Sequence, residues 1–387
     1  MSRTTSLSDA GFAFLEDSRV SAVASCFLLF FSLSSKATIG LTIENSLSFA
    51  PGENKVTSLA LKGDTLYVGM NTAPGTIVRV DARTMKKMSS PLRLSEGENS
   101  IYSLLVVGDY LYAGLYTSPG KVVKVDTDRF STVETLTLPG GQNWVSSLAS
   151  SNGFLYASLR MWPGKIVKID LRTFKQVDLV ELASGENNVY SMATKNGYLY
   201  VGIAMRPGGV AKIDLETFRE VQSLRFRPGE DYSQPIAISD DMLFAGFYSK
   251  PGGIAKVNLT TFEELGSSTL FSQGEDNVWS LVVHLGSVYA GLDTRPGKII
   301  RLDLDLRRLD TLSLGEGEDG VYAFASIDAS LVCGVYSSPG KIILLRPHEP
   351  ATPSFLFPII VSIVLGAFLC LNLWFLKSKS RKRSIAD

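Results

Sequence analysis

Histidine occurs twice and cysteine three times in this 387-residue chain, and acidic and basic side chains cancel. Cys26 and Cys370 fall in apolar stretches near the termini, leaving Cys333 alone between them. That excludes a disulfide framework or a thiolate metal centre in the intervening domain. Lys plus Arg and Asp plus Glu both number 38, so no charge excess points to nucleic acid or to an acidic substrate. Catalysis is poorly provisioned. No G-x-S-x-G, H-E-x-x-H or P-loop phrase occurs, His348 precedes an apolar terminal run, and His284 at a strand end reads as a packing residue. No catalytic residue, metal or cofactor is expected.

Two apolar segments set a topology. Phe355 to Leu376 runs 22 residues without a charge, and as a helix that length spans about 33 Å, one bilayer core. Lys377, Lys379, Arg381, Lys382 and Arg383 follow, so the positive-inside tendency assigns residues 377–387 to the cytoplasm as a basic tail. Val20 to Ser35 is shorter, with CFLLFF at its centre and Ser35-Lys36-Ala37 behind it, and fits a signal-peptide core within residues 1–37. The competing reading is an uncleaved anchor, because the leader is long and carries Asp9, Glu16 and Asp17. Asn258-Leu259-Thr260 is an N-glycosylation sequon between predicted strands. The expectation is a single-pass type I membrane protein of the secretory pathway or cell surface. Residues 38–346 would lie on the lumenal or extracellular side, joined to the span by a stalk, residues 347–354.

The dominant signal is a repeat. Pro-Gly recurs at Pro74, Pro119, Pro163, Pro207, Pro251, Pro296 and Pro339, at spacings of 45, 44, 44, 44, 45 and 43 residues. Around each Pro-Gly the same phrase returns, as in Gly97 to Leu138, where apolar runs Ile101–Val106, Tyr110–Tyr116, Val122–Asp126 and Val133–Leu138 are separated by polar turns. Such runs of Val, Ile, Leu and Tyr punctuated by Gly, Pro and Asp read as four strands, with the Pro-Gly pair suited to a type II turn. Gly114 in the second strand occupies a position kept small in the other copies, which lets neighbouring sheets approach closely. A four-stranded antiparallel sheet repeated seven times is the unit of a β-propeller, whose sheets pack radially until the ring closes.

Closure has its own signature. An apolar residue stands four places before each loop acid or amide: Phe49, Leu94, Leu138, Leu182, Phe226, Phe271 and Leu314. The first belongs to Leu41 to Phe49, a strand with no blade ahead of it, while the seventh repeat stops after its third strand at Lys341–Leu345. The N-terminal strand is therefore expected to complete blade seven and leave no open sheet edge. An innermost Val-x-Ser-Leu strand, a small-residue second strand and a third ending in Asp resemble the WD40 and YVTN-type propeller superfamily across residues 41 to 346. The resemblance is architectural, since the Gly-His and Trp-Asp pairs of WD40 repeats are missing here, and it implies a fold without a function.

Two loops per blade are expected on one face. The first supplies a candidate acidic ring at the channel mouth, Glu53, Glu98, Glu186, Glu230, Glu275 and Glu318, with Gln142 in blade three. A position repeated so regularly more often fixes a turn than binds a ligand; the functional reading is a seat for a cation or a basic ligand. Positions where the repeats differ are more informative. The second residue of the inner strand is Thr57, Tyr102, Ser146, Tyr190, Gln234, Trp279 and Tyr322, and Arg160, Trp162, Arg206, Lys250 and Arg295 lie ahead of the Pro-Gly turns. Aromatic and arginine side chains on a loop face are the types enriched at binding hot spots, although the strand aromatics also suit packing between blades. The candidate ligand residues are therefore Tyr102, Arg160, Trp162, Tyr190, Arg206, Lys250, Trp279, Arg295 and Tyr322. Pro235 within an inner strand predicts a local irregularity in blade five.

These features favour a non-catalytic receptor, adhesion or scaffold module for a protein or glycan. Two readings compete: a membrane-tethered lumenal lyase or hydrolase using the mouth carboxylates, and a tail-anchored cytosolic scaffold.

Overall fold

A computed structural model describes residues 40–266 and 268–348. The expected leader, the span, the basic tail and nearly all of the stalk lie outside the described residues. Gly40–Pro347 forms one compact unit; a second grouping, residues 1–39 and 348–387, falls outside the described residues except for His348. Among the described residues no helix is long and apolar enough to cross a membrane.

Seven sheets are present, and in blades two, three, four and six the order is inner, second, third and outer strand, each hydrogen-bonded to the next. Blade two is representative, with Ile101–Val107, Tyr110–Leu115, Lys121–Asp126 and Ser131–Thr137. The second strand is buried nearly throughout because blades cover both faces, the third buries Val122, Val123 and Val125, and the outer strand Ser131–Thr137 is mostly exposed. Outer strands are broken in two blades. In blade one Ser89, Ser90 and Pro91 separate Lys86–Lys87 from Leu92–Arg93, and in blade five the left-handed Gly266 lies between Glu263–Glu264 and Thr269–Leu270.

The ring closes as the sequence predicts. Gly40–Ser48 pairs with Lys341–His348 as the outer strand of blade seven, whose order ends on Val321–Ile327. Phe49 donates its N–H to the Gly340 carbonyl at 2.9 Å, the same bond that Leu94 makes to Gly75 and Leu138 to Gly120. The chain thus uses one repeat of backbone geometry, including its join. All seven apolar residues of that series are buried.

Seven apolar clusters fill the seven gaps between blades, including one that joins Val56, Val68 and Val78 of blade one to Ile327, Val332 and Ile342 of blade seven. Close approach explains the small residue of each second strand. A Cβ on Gly114 would stand 2.6 Å from Val145 Cγ1 of the next blade, and one on Gly334 2.5 Å from Val56 Cγ1 across the join. Where blade three carries Ser158 instead, its hydroxyl lies 3.1 Å from that of Ser146.

One local expectation is corrected. All seven bonds preceding the Pro-Gly prolines are cis, and none of the glycines after them has a positive φ, so the turns are cis-proline turns and not type II. Those glycines serve proximity instead: a Cβ on Gly120 would sit 3.0 Å from the Gln142 carbonyl and 3.2 Å from Leu138 Cδ1.

Candidate functional site

Every inner strand carries a one-residue irregularity just after it begins. The register passes from Ile101↔Leu115 to Ser103↔Gly114 and skips Tyr102; it skips Thr57, Ser146, Tyr190, Trp279 and Tyr322 in the same way. In blade five it passes from Ser233 to Ile236, leaving out both Gln234 and Pro235. A bulge frees the extra residue from the ladder and re-aims its side chain. These seven residues all line a cavity of about 370 Å³ in the central channel.

A second column of residues completes the rim. Before each inner strand one residue is left-handed, with φ between 50° and 60°: Lys55, Ser100, Trp144, Asn188, Tyr232, Asn277 and Gly320. Its carbonyl accepts the N–H of the residue that follows the second strand, as from Tyr116 to Ser100 at 2.9 Å and from Arg160 to Trp144 at 3.2 Å. That clamp holds Asn71, Tyr116, Arg160, Ala204, Tyr248, Asp293 and Tyr336 beside the bulge residues.

The two columns build two aromatic stacks. In one, Tyr102 and Tyr116 stack at 4.7 Å, and Tyr116 and Trp144 at 5.9 Å. In the other, Trp279 stacks on Tyr322 at 4.3 Å and Tyr322 on Tyr336 at 4.1 Å, with Tyr248 edge-on to Trp279 at 5.6 Å. Arg160 bridges them. Its guanidinium carbon lies 3.9 Å from the Tyr190 ring centre, 4.9 Å from Tyr116, 5.0 Å from Tyr102 and 6.0 Å from Trp279.

The electrostatics are lopsided. Among the described residues Arg160 is the one charged side chain lining the cavity, and its buried Nε has no hydrogen-bond partner there. Among the described residues no acid pairs with it; four aromatic faces stabilise the charge instead. Ser58 Oγ and Gln234 Oε1 are likewise buried without partners, and both residues line the same cavity. The acid of the rim, Asp293, is already engaged, since it accepts the Tyr248 hydroxyl at 3.1 Å and a hydrogen bond from Tyr322. Burial first, then the Asp293 charge, pushes the Tyr248 phenol up to about 12 and raises that of Tyr322 as well. Burial also raises Tyr102, against an opposing pull from Arg160. These phenols stay protonated, and so remain donors, across the physiological range.

Of the nine candidate ligand residues, Tyr102, Arg160, Tyr190, Trp279 and Tyr322 come together in the channel. Trp162, Arg206, Lys250 and Arg295 do not line it. Each directly precedes a cis-proline and is exposed on the same turn-rich face, Trp162 to 78%. Arg206 lies 3.7 Å from Asp231 and 4.8 Å from the Tyr232 ring centre, and Arg295 3.8 Å from Asp319. Asn258 ends the third strand of blade five and accepts the N–H groups of Thr260 and Thr261 at 2.8 and 3.0 Å, as Asp170 and Asp214 do for Thr173 and Thr217.

The glutamates form no ring in the channel; none of the six lines the cavity. Glu53, Glu98, Glu186, Glu230 and Glu275 are buried, and Glu318 is partly so. In five of the blades the carboxylate accepts the N–H three residues back, from Ala50, Ser95, Arg227, Ser272 and Gly315, at 2.8 to 2.9 Å. It also meets its own blade's outer half. Lys87 holds Glu53, Thr135 holds Glu98 at 2.7 Å, Ser268 holds Glu230, Arg308 holds Glu275, and Lys341 holds Glu318. Their chemistry is that of loop staples. His284 is buried beside Tyr289, and desolvation lowers its pKa.

Sequence reasoning missed Tyr116, Trp144, Tyr248, Asp293 and Tyr336. For all but Trp144 the signal was present: the residue after the second strand varies from blade to blade as strongly as the bulge column does.

No family model matches the chain, and no curated protein matches its sequence. Among solved structures it is similar to the computationally designed Ika8 protein, with a TM-score of 0.55 and 15% identity, covering 77% of this chain and 98% of that one. At that identity the likeness concerns the fold alone. In all, 1730 chains of solved structures match, and an architecture so widely shared narrows function very little.

Proposed function

We propose that the chain is a membrane-anchored, non-catalytic binding module whose propeller faces the lumen or the cell exterior and takes a protein or glycan ligand on its turn-rich face. The supporting observation is the channel mouth, where two aromatic stacks converge on the unpaired Arg160 guanidinium. A buried guanidinium N–H without an acceptor is costly, and a ligand that supplies one relieves that cost. Around the mouth, Trp162 and Arg295, 78% and 87% exposed, supply anchors of the kind that dominate interfaces.

None of the carboxylates a lumenal hydrolase or lyase would use lines the cavity, and five of the six are occupied as loop staples, so binding is the better reading of the mouth. The test uses the full chain in detergent as bait for secreted and cell-surface proteins and glycans. A retained ligand should be lost, by about tenfold or more in affinity, with Trp162→Ala plus Arg295→Ala. Retention unchanged by that double variant would remove the face from the account. Protease digestion of sealed vesicles tests the topology: a propeller degraded without detergent would make the chain a tail-anchored cytosolic scaffold.

A further inference from the structure

The mouth contains more chemical information than a general preference for binding. Its cavity, about 370 Å³, lies at the low end of the range of roughly 300–1,000 Å³ that holds small ligands or single ligand groups. Within it, Arg160 presents a guanidinium whose face is taken up by the Tyr190 ring, 3.9 Å from its central carbon. Stacking of that kind leaves the in-plane N–H donors available at the edge, the geometry that receives a carboxylate with two parallel bonds.

The rest of the lining narrows the ligand. Arg160 brings a single positive charge, and no second cation lines the cavity. One guanidinium neutralises one carboxylate, whereas a phosphate monoester would retain excess negative charge. Beyond the charge, the walls are rich in hydroxyls from the inner strands. One of the polar atoms there, Gln234 Oε1, is buried without a partner. An acidic peptide side chain offers a carboxylate and a methylene stem and would leave that atom unmatched. A ring that bears both a carboxylate and hydroxyls answers both unpaired groups at once.

We infer that the channel mouth is a binding site for the uronate unit of an acidic glycan, with Arg160 holding the carboxylate and Gln234 meeting a sugar hydroxyl. The inference rests on the binding-module reading and gives it a ligand class.

Full chain purified in detergent, titrated with sodium glucuronate and followed by calorimetry and by tryptophan fluorescence, tests it directly. Glucuronate is expected to bind at least about tenfold more tightly than methyl glucoside, N-acetylaspartate or inorganic phosphate. Arg160→Gln should weaken glucuronate by about 10- to 100-fold and leave methyl glucoside unchanged. Gln234→Leu should weaken both sugars. If Arg160→Gln does not fold, Arg160→Lys serves, since it keeps the charge but loses the paired donors and should still weaken glucuronate. Equal binding of glucuronate and methyl glucoside, tighter binding of N-acetylaspartate or phosphate, indifference to the Arg160 variants, or no glucuronate binding at millimolar concentration would each overturn the assignment. A macromolecular ligand still lost with Trp162→Ala plus Arg295→Ala while glucuronate is inert would sink this inference and spare the binding module. Glucuronate binding with a face indifferent to that double variant would do the reverse.

Discussion

The loop carboxylates of blades six and four occupy the same place in the repeat and meet opposite partners. Glu275 of blade six accepts both guanidinium nitrogens of Arg308, at 2.7 and 2.6 Å, and the Ser272 N–H at 2.9 Å. Those bonds hold its carboxyl below the ordinary carboxylate range. Glu186 of blade four faces a second carboxyl, Glu220, with which it shares a hydrogen bond, and its Oε2 is buried without a partner. There the loop N–H, from Ala183, is taken by Glu220 at 3.0 Å, and burial followed by the Glu186 charge raises Glu220 to about 7. The backbone frame is the same in both blades. What differs is whether the acid is stapled by a charge or by a proton, and only the second arrangement responds to pH near neutrality.

Breaking the charged staple should have the largest effect. Glu275→Ala leaves the Arg308 guanidinium and the Ser272 N–H without their acceptor, and the expected cost is about 2–4 kcal/mol of stability. Chemical denaturation of the full chain at neutral pH measures it, with Glu186→Ala as the comparison. The blade-four variant should lose less than about 1 kcal/mol, because it also removes a repulsion. Equal losses would mean that the two staples do not differ energetically.

The pH dependence sharpens the contrast. Glu220 titrates at about 7 in the folded chain, against 4.5 for an unperturbed glutamate. Between those values the folded state holds the extra proton, so this group's contribution is complete below about 4.5 and is lost as pH rises through about 7. Glu220→Gln carries a permanently neutral group. Its stability relative to the native chain should therefore be flat below about pH 4.5, increase between about 4.5 and 7, and level off above, read as the difference between two denaturation series. A constant difference across that range would show that the pair does not share a proton.

Much of this was legible from spacing. The Pro-Gly period, the small second-strand position and the unpaired N-terminal strand each encode a backbone relation between neighbouring blades, and backbone relations repeat. The isomer of the proline bond did not emerge, because Pro-Gly suits both a type II and a cis-proline turn. Nor did the fate of the loop acids: Glu98 reads identically whether it points to the channel or to Thr135, and its partner lies 37 residues away. The mouth was half legible. Tyr102, Tyr190, Trp279 and Tyr322 stood out because their column varies along a strand, whereas Tyr116, Trp144 and Tyr336 belong to columns that vary as much but lie in turns, where no strand alternation assigns a side chain to a face.

The smallest expected effect separates the staples from the mouth altogether. Arg160 and Arg308 are both arginines against aromatic rings, with Arg308 5.7 Å from the Phe271 centre, but only Arg308 closes an ion pair. Arg160 gains ring contacts while leaving a buried Nε without an acceptor, and these opposing terms are each of the order of 1 kcal/mol. Arg160→Gln should therefore change the stability of the unliganded chain by no more than about 1 kcal/mol in either direction, measured by the same denaturation series as Glu275→Ala. A loss matching that of the blade-six staple would make Arg160 part of the frame, fixed there to hold blades three and four against the channel. A near-neutral result leaves its charge without a structural purpose and points to what enters the mouth.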